Sequence, residues 1–470
     1  MKKLLALALA LCVAGGITTP VLAAEETKAQ PIPAWAYGVL ADGYAMGLFG
    51  DDIYTQHNQT VTREQMDNLT QVVGEKLALL QVEQREPSEE ALVIDTTRGG
   101  VVNALYQEAA AYAFPGVEEG PEAFMTSVGA LAGDGNGLGL DRPCTWMEAA
   151  TMADSLILNL YDQQNAGSLG LLWKAEGNGN TLYLLGSIHT DRNNVYPVHK
   201  QLRDIILNAE QVSFELDFND QAGLAELSAM QVYSDGTTLA DHISPELYQV
   251  VVDTGEKLGI QESVLCQYKP WALASTFQSL ATLDDTTSSN AMAIDLYVNS
   301  KAYNAGIEIG AVETYAFQGG IFDNLSPEYQ QSYLASGVLM LLDVNTMDEA
   351  TRKALSDVLG EEALTADGQA ALDEEMNQIG LWMDQWKTRD VEGFAQSYPK
   401  DETINGGDEL ESKLFTDRDP GMISYAANYL TQEGSHTGLL VVGAGHMIGS
   451  GGIVQGLKDL GYTVEVVPKP

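Results

Sequence analysis

The sequence predicts an α/β domain, a mixed sheet with helices around it, preceded by a small and mainly helical module. Three observations carry that prediction. Past Leu169, short apolar runs alternate with helical stretches: "LGLLWKAEGNGNTLYLLGSIHT", "AEQVSFELDF", "AGIEIGAVET", "GLLVVGAGH" and "YTVEVV". Runs that read as buried on both faces, interleaved with helices, fit a mainly parallel or mixed sheet. Before Tyr161 the pattern is instead helical, with alanine-rich stretches and glycine-aspartate loops. Hydrophobic residues make up 45% of 470 residues against 19% charged, enough apolar surface for globular cores. That length allows about two to three domains.

Residues 1–24 read as a signal peptide. Lys2 and Lys3 form a basic start, "LLALALALCVAGGI" an apolar stretch, and "TTPVLAAEE" supplies small residues for cleavage. The expected location is therefore extracytoplasmic, secreted or associated with the cell envelope. Cys12 falls inside the apolar stretch, leaving Cys144 and Cys266 in the mature chain. A single pair is open to them, but a disulfide scaffold is excluded. No other apolar run approaches the ~20 residues of a membrane span. The net charge of −42, from 66 acids and 24 bases, makes nucleic acid and anionic membranes poor partners.

The module spans residues 30–163. "PAWAYGVLADGYAMGLFGDD" predicts a helix that ends in a glycine turn. "TVTREQMDNLTQVVGEKLALL" predicts a second, with Thr62 as N-cap and Gln65 three positions on, the capping-box arrangement. Thr145 and Glu148 repeat that arrangement in "GLGLDRPCTWMEAATMADSLILNLY", with Ala149, Met152, Leu156 and Leu160 on one helical face. These pieces resemble two degenerate S-layer homology repeats, although Arg63 of the first corresponds to Trp146 of the second. The resemblance implies docking on cell-wall polysaccharide; capped helices serving as a spacer are the plain alternative.

The second domain spans residues 168–470. A hairpin is predicted around Gly177–Asn180, and a long helical region from Pro327 to Tyr398. Four predicted strands finish on residues able to do chemistry: His189, Glu215, Glu313 and His446. The carboxyl ends of strands in α/β sheets are where ligands bind. Two imidazoles and two carboxylates there suit a divalent metal, with no choice among Zn, Mn, Co or Fe. Both histidines close a Gly-x-x-His motif, Gly186–His189 and Gly443–His446, whose glycine lets backbone turn sharply or come close to a ligand. A dinucleotide cradle is only a remote second reading of the final turn. After Gly443 and Gly445 the third position is Ile448 rather than glycine, and no ribose-binding acid ends the next strand.

In "YLLGSIHTDRNNVYPV", "VSFELD", "GTTLADHI", "YKPWALAS", "AIDLYVNSKAYNAGIEIGAVET" with Gln318, "WKTRD", "LFTDRDPGMISYA" and "LLVVGAGHMIGSGGIVQGLKDLGYTV", the domain resembles the TraB/GumN family, relatives of the Tiki metalloproteases. Asp419 stands where that family tends to have asparagine. The resemblance implies a metal-dependent hydrolase acting on peptide or protein, using the two Gly-x-x-His motifs and a glutamate. His189, His446 and Glu215 are then the expected metal ligands, with Mn, Co or Zn as the ion. Between Glu215 and Glu313 the sequence does not divide ligand from general base; Glu215 is favoured as ligand because it shares a strand-helix-strand unit with His189. Arg418 is expected either to stabilise an oxyanion or to form a surface ion pair with Asp417 and Asp419, and Asp191 to be solvated or N-capping, with orientation of His189 as its sharper alternative. A non-catalytic envelope-binding protein is the alternative from another class.

Overall fold

The structure, a computed structural model, describes residues 31–86, 91–133, 135, 137–188, 195–282 and 292–470. The predicted signal peptide, His189 and Asp191 lie outside the described residues.

Six strands form one sheet: β1 (Leu171–Gly177), β2 (Asn180–Ser187), β3 (Gln211–Phe214), β4 (Glu308–Ala311), β5 (Thr437–Gly443) and β6 (Thr463–Val466). Their order is β4-β3-β5-β2-β1-β6. β2, β5, β3 and β4 run parallel, whereas β1 is antiparallel to both β2 and β6. The hairpin predicted around Gly177–Asn180 is the β1–β2 pair, with Gly177 opposite Asn180. β5 lies between β2 and β3 and is buried from Gly438 to Gly443, which explains its unbroken apolar sequence. Parallel pairing puts Ser187, Gly443, Phe214 and Ala311 at one edge, since Ser187 pairs with Gly443 and Phe214 with both Val441 and Ala311.

Helices surround this sheet. The region from Pro327 to Tyr398 is several helices, not one: Pro327–Leu339, Glu349–Leu359, Ala366–Thr388 and Val391–Ser397. Local backbone breaks it up. Gly360 (φ 85°) and Arg389 (φ 50°) adopt left-handed conformations that end helices. Buried Arg389 also ties the sheet to the chain's end, donating to the carbonyls of Gly170 (3.0 Å) and Val467 (3.1 Å).

The N-terminal region is helical as expected. Both predicted capping boxes form, with Gln65 N donating to Thr62 Oγ1 (3.2 Å) and Glu148 N to Thr145 Oγ1 (3.3 Å). The two caps also meet: Val61 N donates to the Cys144 carbonyl (2.9 Å), and Trp146 Nε1 to Asp52 Oδ2 (2.9 Å). That buried indole explains why the second helix starts with Trp146, whereas Arg63 in the same place is exposed and pairs with Asp67 (2.9 Å). Helices Arg98–Ala110 and Pro121–Ser127, not anticipated from sequence, fill the interval between the two caps. Cys144 and Cys266 are both free thiols, so the pair left open does not form. No helix among the described residues is long and apolar enough to cross a membrane.

Candidate active site

Each polar residue of the site follows from where its strand or helix ends. Glu215 comes directly after β3, Glu313 shortly after β4, and His446 in the short helix Ala444–Met447 that follows β5. The ladder continues past the strands: the Glu313 amide donates to the Glu215 carbonyl at 2.8 Å, setting the two acids side by side. Arg418 precedes helix Asp419–Leu430 and brings Asp419 with it as first helical residue. An aspartate there is favoured by the helix dipole.

Glu215, fully buried, uses both oxygens. Its Oε1 accepts from the Gly443 amide (2.7 Å), and its Oε2 from Arg418 Nη2 and from Gln318 Nε2 (3.2 Å). Glu313 accepts from Arg418 Nε at 3.0 and 3.1 Å, from Arg418 Nη2 at 2.8 Å and from Gln318 Nε2 at 2.8 Å. One guanidinium thus clamps two carboxylates that would otherwise repel each other in a buried setting. Burial alone lowers the Arg418 pKa, but the charges of Glu215 and Glu313 outweigh it and raise the pKa above its ordinary value. The guanidinium faces the two glutamates from a fully buried position.

His446 is held from its other side. Its Nδ1 lies 2.6 Å from Asp419 Oδ1, and an ionised carboxylate only accepts, so Nδ1 carries the proton. Its Nε2 is buried with no hydrogen-bond partner among the described residues, 3.8 Å from Glu215 Oε1. Gln318 Oε1 and Ser187 Oγ are likewise buried without partners. An unsatisfied buried polar atom costs about 1–3 kcal/mol. These three lie near one sheet edge and have no partner among the described residues.

The motif glycines work through close approach. A Cβ on Gly186 would sit 3.0 Å from Ala444 Cα, so the two Gly-x-x-His segments pack against each other. A Cβ on Gly445 would reach Tyr398 Oη at 2.8 Å. Trp386 Nε1 donates to the Gly186 carbonyl at 2.6 Å and fixes that strand end. Neither Gly186 nor Gly443 has positive φ, so the sharp turn anticipated for them is not their reason.

The structure thus brings together Glu215, Glu313, Arg418 and His446. Sequence reasoning passed over Gln318, Asp419 and Lys400 as working parts. Gln318 gives no pattern signal, but Asp419 and Lys400 are charged residues in buried positions, and burial is what single-sequence periodicity cannot assign to helix termini. Among the described residues no three His, Cys, Asp or Glu side chains converge as a metal cage. The donor set still suits a divalent ion at His446: an orphaned Nε2 with Nδ1 fixed by a carboxylate is the second-shell pattern of ligating histidines.

The fold is an α/β domain with a mixed sheet, whose parallel strands bring a clamped acid pair and an aspartate-held histidine to one edge, the edge where ligands bind in such sheets. A family model, the TraB/PrgY/gumN family, matches residues 171–466, from the start of β1 to the end of β6. The chain belongs to that family. No curated protein and no solved structure matches it.

Proposed function

We propose that the chain is an extracytoplasmic metal-dependent hydrolase that acts on peptide bonds. The supporting observation is His446, whose buried Nε2 has no partner while Asp419 holds Nδ1. In this reading His446 Nε2, His189 and Glu215 Oε1 hold a divalent cation, Mn, Co or Zn. When bound, the ion supplies electrophilic polarisation of a carbonyl and acidifies water.

The chain's own residues do the rest. Asp419 keeps the imidazole in the tautomer that presents Nε2. The Gly443 amide and Arg418 orient the Glu215 carboxylate, and an acid paired with a guanidinium and a backbone amide is a better oriented ligand than a base. The base role then falls to Glu313, the less buried of the two acids and the one without a backbone amide on its carboxylate among the described residues, which would accept the proton that water gives up. Gln318 spans both glutamates and holds their spacing. We further propose that the N-terminal helices place the domain at the cell wall.

The test is metal content and peptide hydrolysis of the mature protein beside His446→Ala and His189→Ala. Bound metal with turnover in wild type, and loss of both in the variants, is expected. A wild-type protein that takes up no Mn, Co or Zn and cleaves nothing overturns the proposal. Retention of residues 25–165 with the remaining chain on purified wall polysaccharide tests the location separately.

A further inference from the structure

Lys400 is a buried lysine at the start of helix Lys400–Asn405, where lysine side chains rarely go without a partner. Its Nζ donates to Asp419 Oδ2 at 2.7 Å and to the Ile448 carbonyl at 2.8 Å. These two acceptors flank His446. Asp419 bonds the imidazole through its other oxygen, and Ile448 is the second residue after His446 in the chain. The Phe415 ring completes the enclosure, 5.3 Å from the imidazole and 4.8 Å from the Lys400 ammonium. One cation therefore touches the carboxylate that grips the histidine, the turn that follows it and the ring that packs on it.

We infer that Lys400 is a positioning residue that holds His446 with Nδ1 protonated and Nε2 directed into the site. The physical reason is what its removal leaves behind. Asp419 Oδ2 would become a buried carboxylate oxygen without its donor, and an unpaired buried acceptor is costly enough to make the carboxylate rotate toward another partner. A rotated Asp419 no longer compels the Nδ1–H tautomer. The Ile448 carbonyl would lose its donor in the same step, loosening the turn that carries His446. Burial lowers the Lys400 pKa, opposed by the Asp419 charge, consistent with an ammonium whose charge depends on that partner.

The inference rests on the metal reading of His446 only in its second measurement. In the first, the full chain is labelled with ¹⁵N-histidine, the His446 ring signals are assigned by His446→Ala, and long-range ¹H–¹⁵N spectra report the tautomer. Wild type is expected to show Nδ1–H alone. Lys400→Met is expected to show a mixture or the Nε2–H form, and Lys400→Gln, which keeps a donor, to recover Nδ1–H in part. In the second, Zn²⁺ competition against a chelating dye is expected to show affinity about tenfold weaker in Lys400→Met, at the low end for outer partners of a ligand. An unchanged tautomer in a folded Lys400→Met protein overturns the inference. If Lys400→Met does not fold, an unchanged tautomer together with unchanged Zn²⁺ affinity in Lys400→Gln overturns it instead. Wild type that binds no Zn²⁺ overturns the metal reading, and the tautomer still decides the role of Lys400.

Discussion

Two buried ionic clusters of this protein have the same composition problem and solve it differently. At the sheet edge, Glu215, Glu313 and Asp419 face two cations, Arg418 and Lys400. Where the N-terminal helices meet the α/β domain, Asp42 of helix Tyr37–Ala45 accepts from Tyr297 Oη (2.6 Å) and pairs with Lys301. Asp154 of helix Trp146–Gln163 stands beside that pair with Oδ1 unpartnered. Each cluster thus holds one more carboxylate than it has cations bonded to it. At the junction, burial and then the Asp42 charge push the Asp154 carboxyl well above the usual carboxylate range, against the pull of Lys301 and Arg203. That direction favours a proton on Asp154 as the balance of that cluster. The sheet-edge cluster instead keeps its charge balance between ion pairs, and beside its acids His446 Nε2 has no hydrogen-bond partner among the described residues. The comparison teaches that buried charge alone does not mark function, since both clusters bury an acid in excess of their cations.

Removing the clamp cation should give the largest effect. Arg418→Met strands Glu215 and Glu313 in the interior and is expected to cost about 3–5 kcal/mol, read by urea denaturation. Adding Glu215→Gln and Glu313→Gln to that variant should restore much of the loss, because the strain is the uncompensated charge. Equal destabilisation in the triple variant would break the account.

Separating the two glutamates comes next. Glu313→Gln is expected to retain metal while lowering turnover by about 10²-fold or more, as loss of a general base does. Glu215→Gln is expected to lose metal as well as turnover. The reverse pattern would exchange the two assignments.

The junction should respond less than the clamp. Lys301→Met leaves Asp42 with its Tyr297 bond and strands one paired carboxylate where Arg418→Met strands two, so about 3 kcal/mol is expected, the low end for a broken buried pair and below the Arg418 effect. The same unfolding measurement compares them directly. A Lys301→Met cost above that of Arg418→Met would show that the junction, not the site, is the tighter ionic lock.

The smallest effect concerns pH. The folded pKa of Asp154 is raised above its unfolded value, so the stabilisation linked to its proton is fully present below the ordinary carboxylate range. It is lost as pH rises toward the folded pKa. Asp154→Asn removes that dependence, so the melting temperature of the variant relative to wild type should climb as pH rises from about 4 toward 8. Asp42, Lys301 and Arg203 face the same group and are common to both proteins, so the difference isolates Asp154. A difference that stays flat across that range would mean Asp154 is ionised when folded.

Much of the fold was legible. All six strands stand where apolar runs predict them, and Thr62 and Thr145 cap their helices by the spacing read from sequence. Glu215 and His446 were legible because each follows a buried run, where a polar residue is expensive without a purpose, and Glu313 because it ends an apolar run, although that strand is only half-buried. The long helical region was read as continuous because amphipathic periodicity persists across short breaks, while a left-handed residue such as Arg389 leaves no trace in it. Helices Arg98–Ala110 and Pro121–Ser127 carry too little regular apolar spacing to declare themselves.

By itself the sequence determined the order of strands and helices and which side chains reach the carboxyl edge, because those depend on local periodicity and chain direction. The tertiary structure alone decided what each side chain does there. Arg418 and Glu215 are 203 residues apart, Lys400 and Asp419 meet from two helices, and Asp42 finds Lys301 across 259 residues. Whether a charge is a clamp, a ligand or a lock depends on its partner and its burial, and both are set only when distant segments pack.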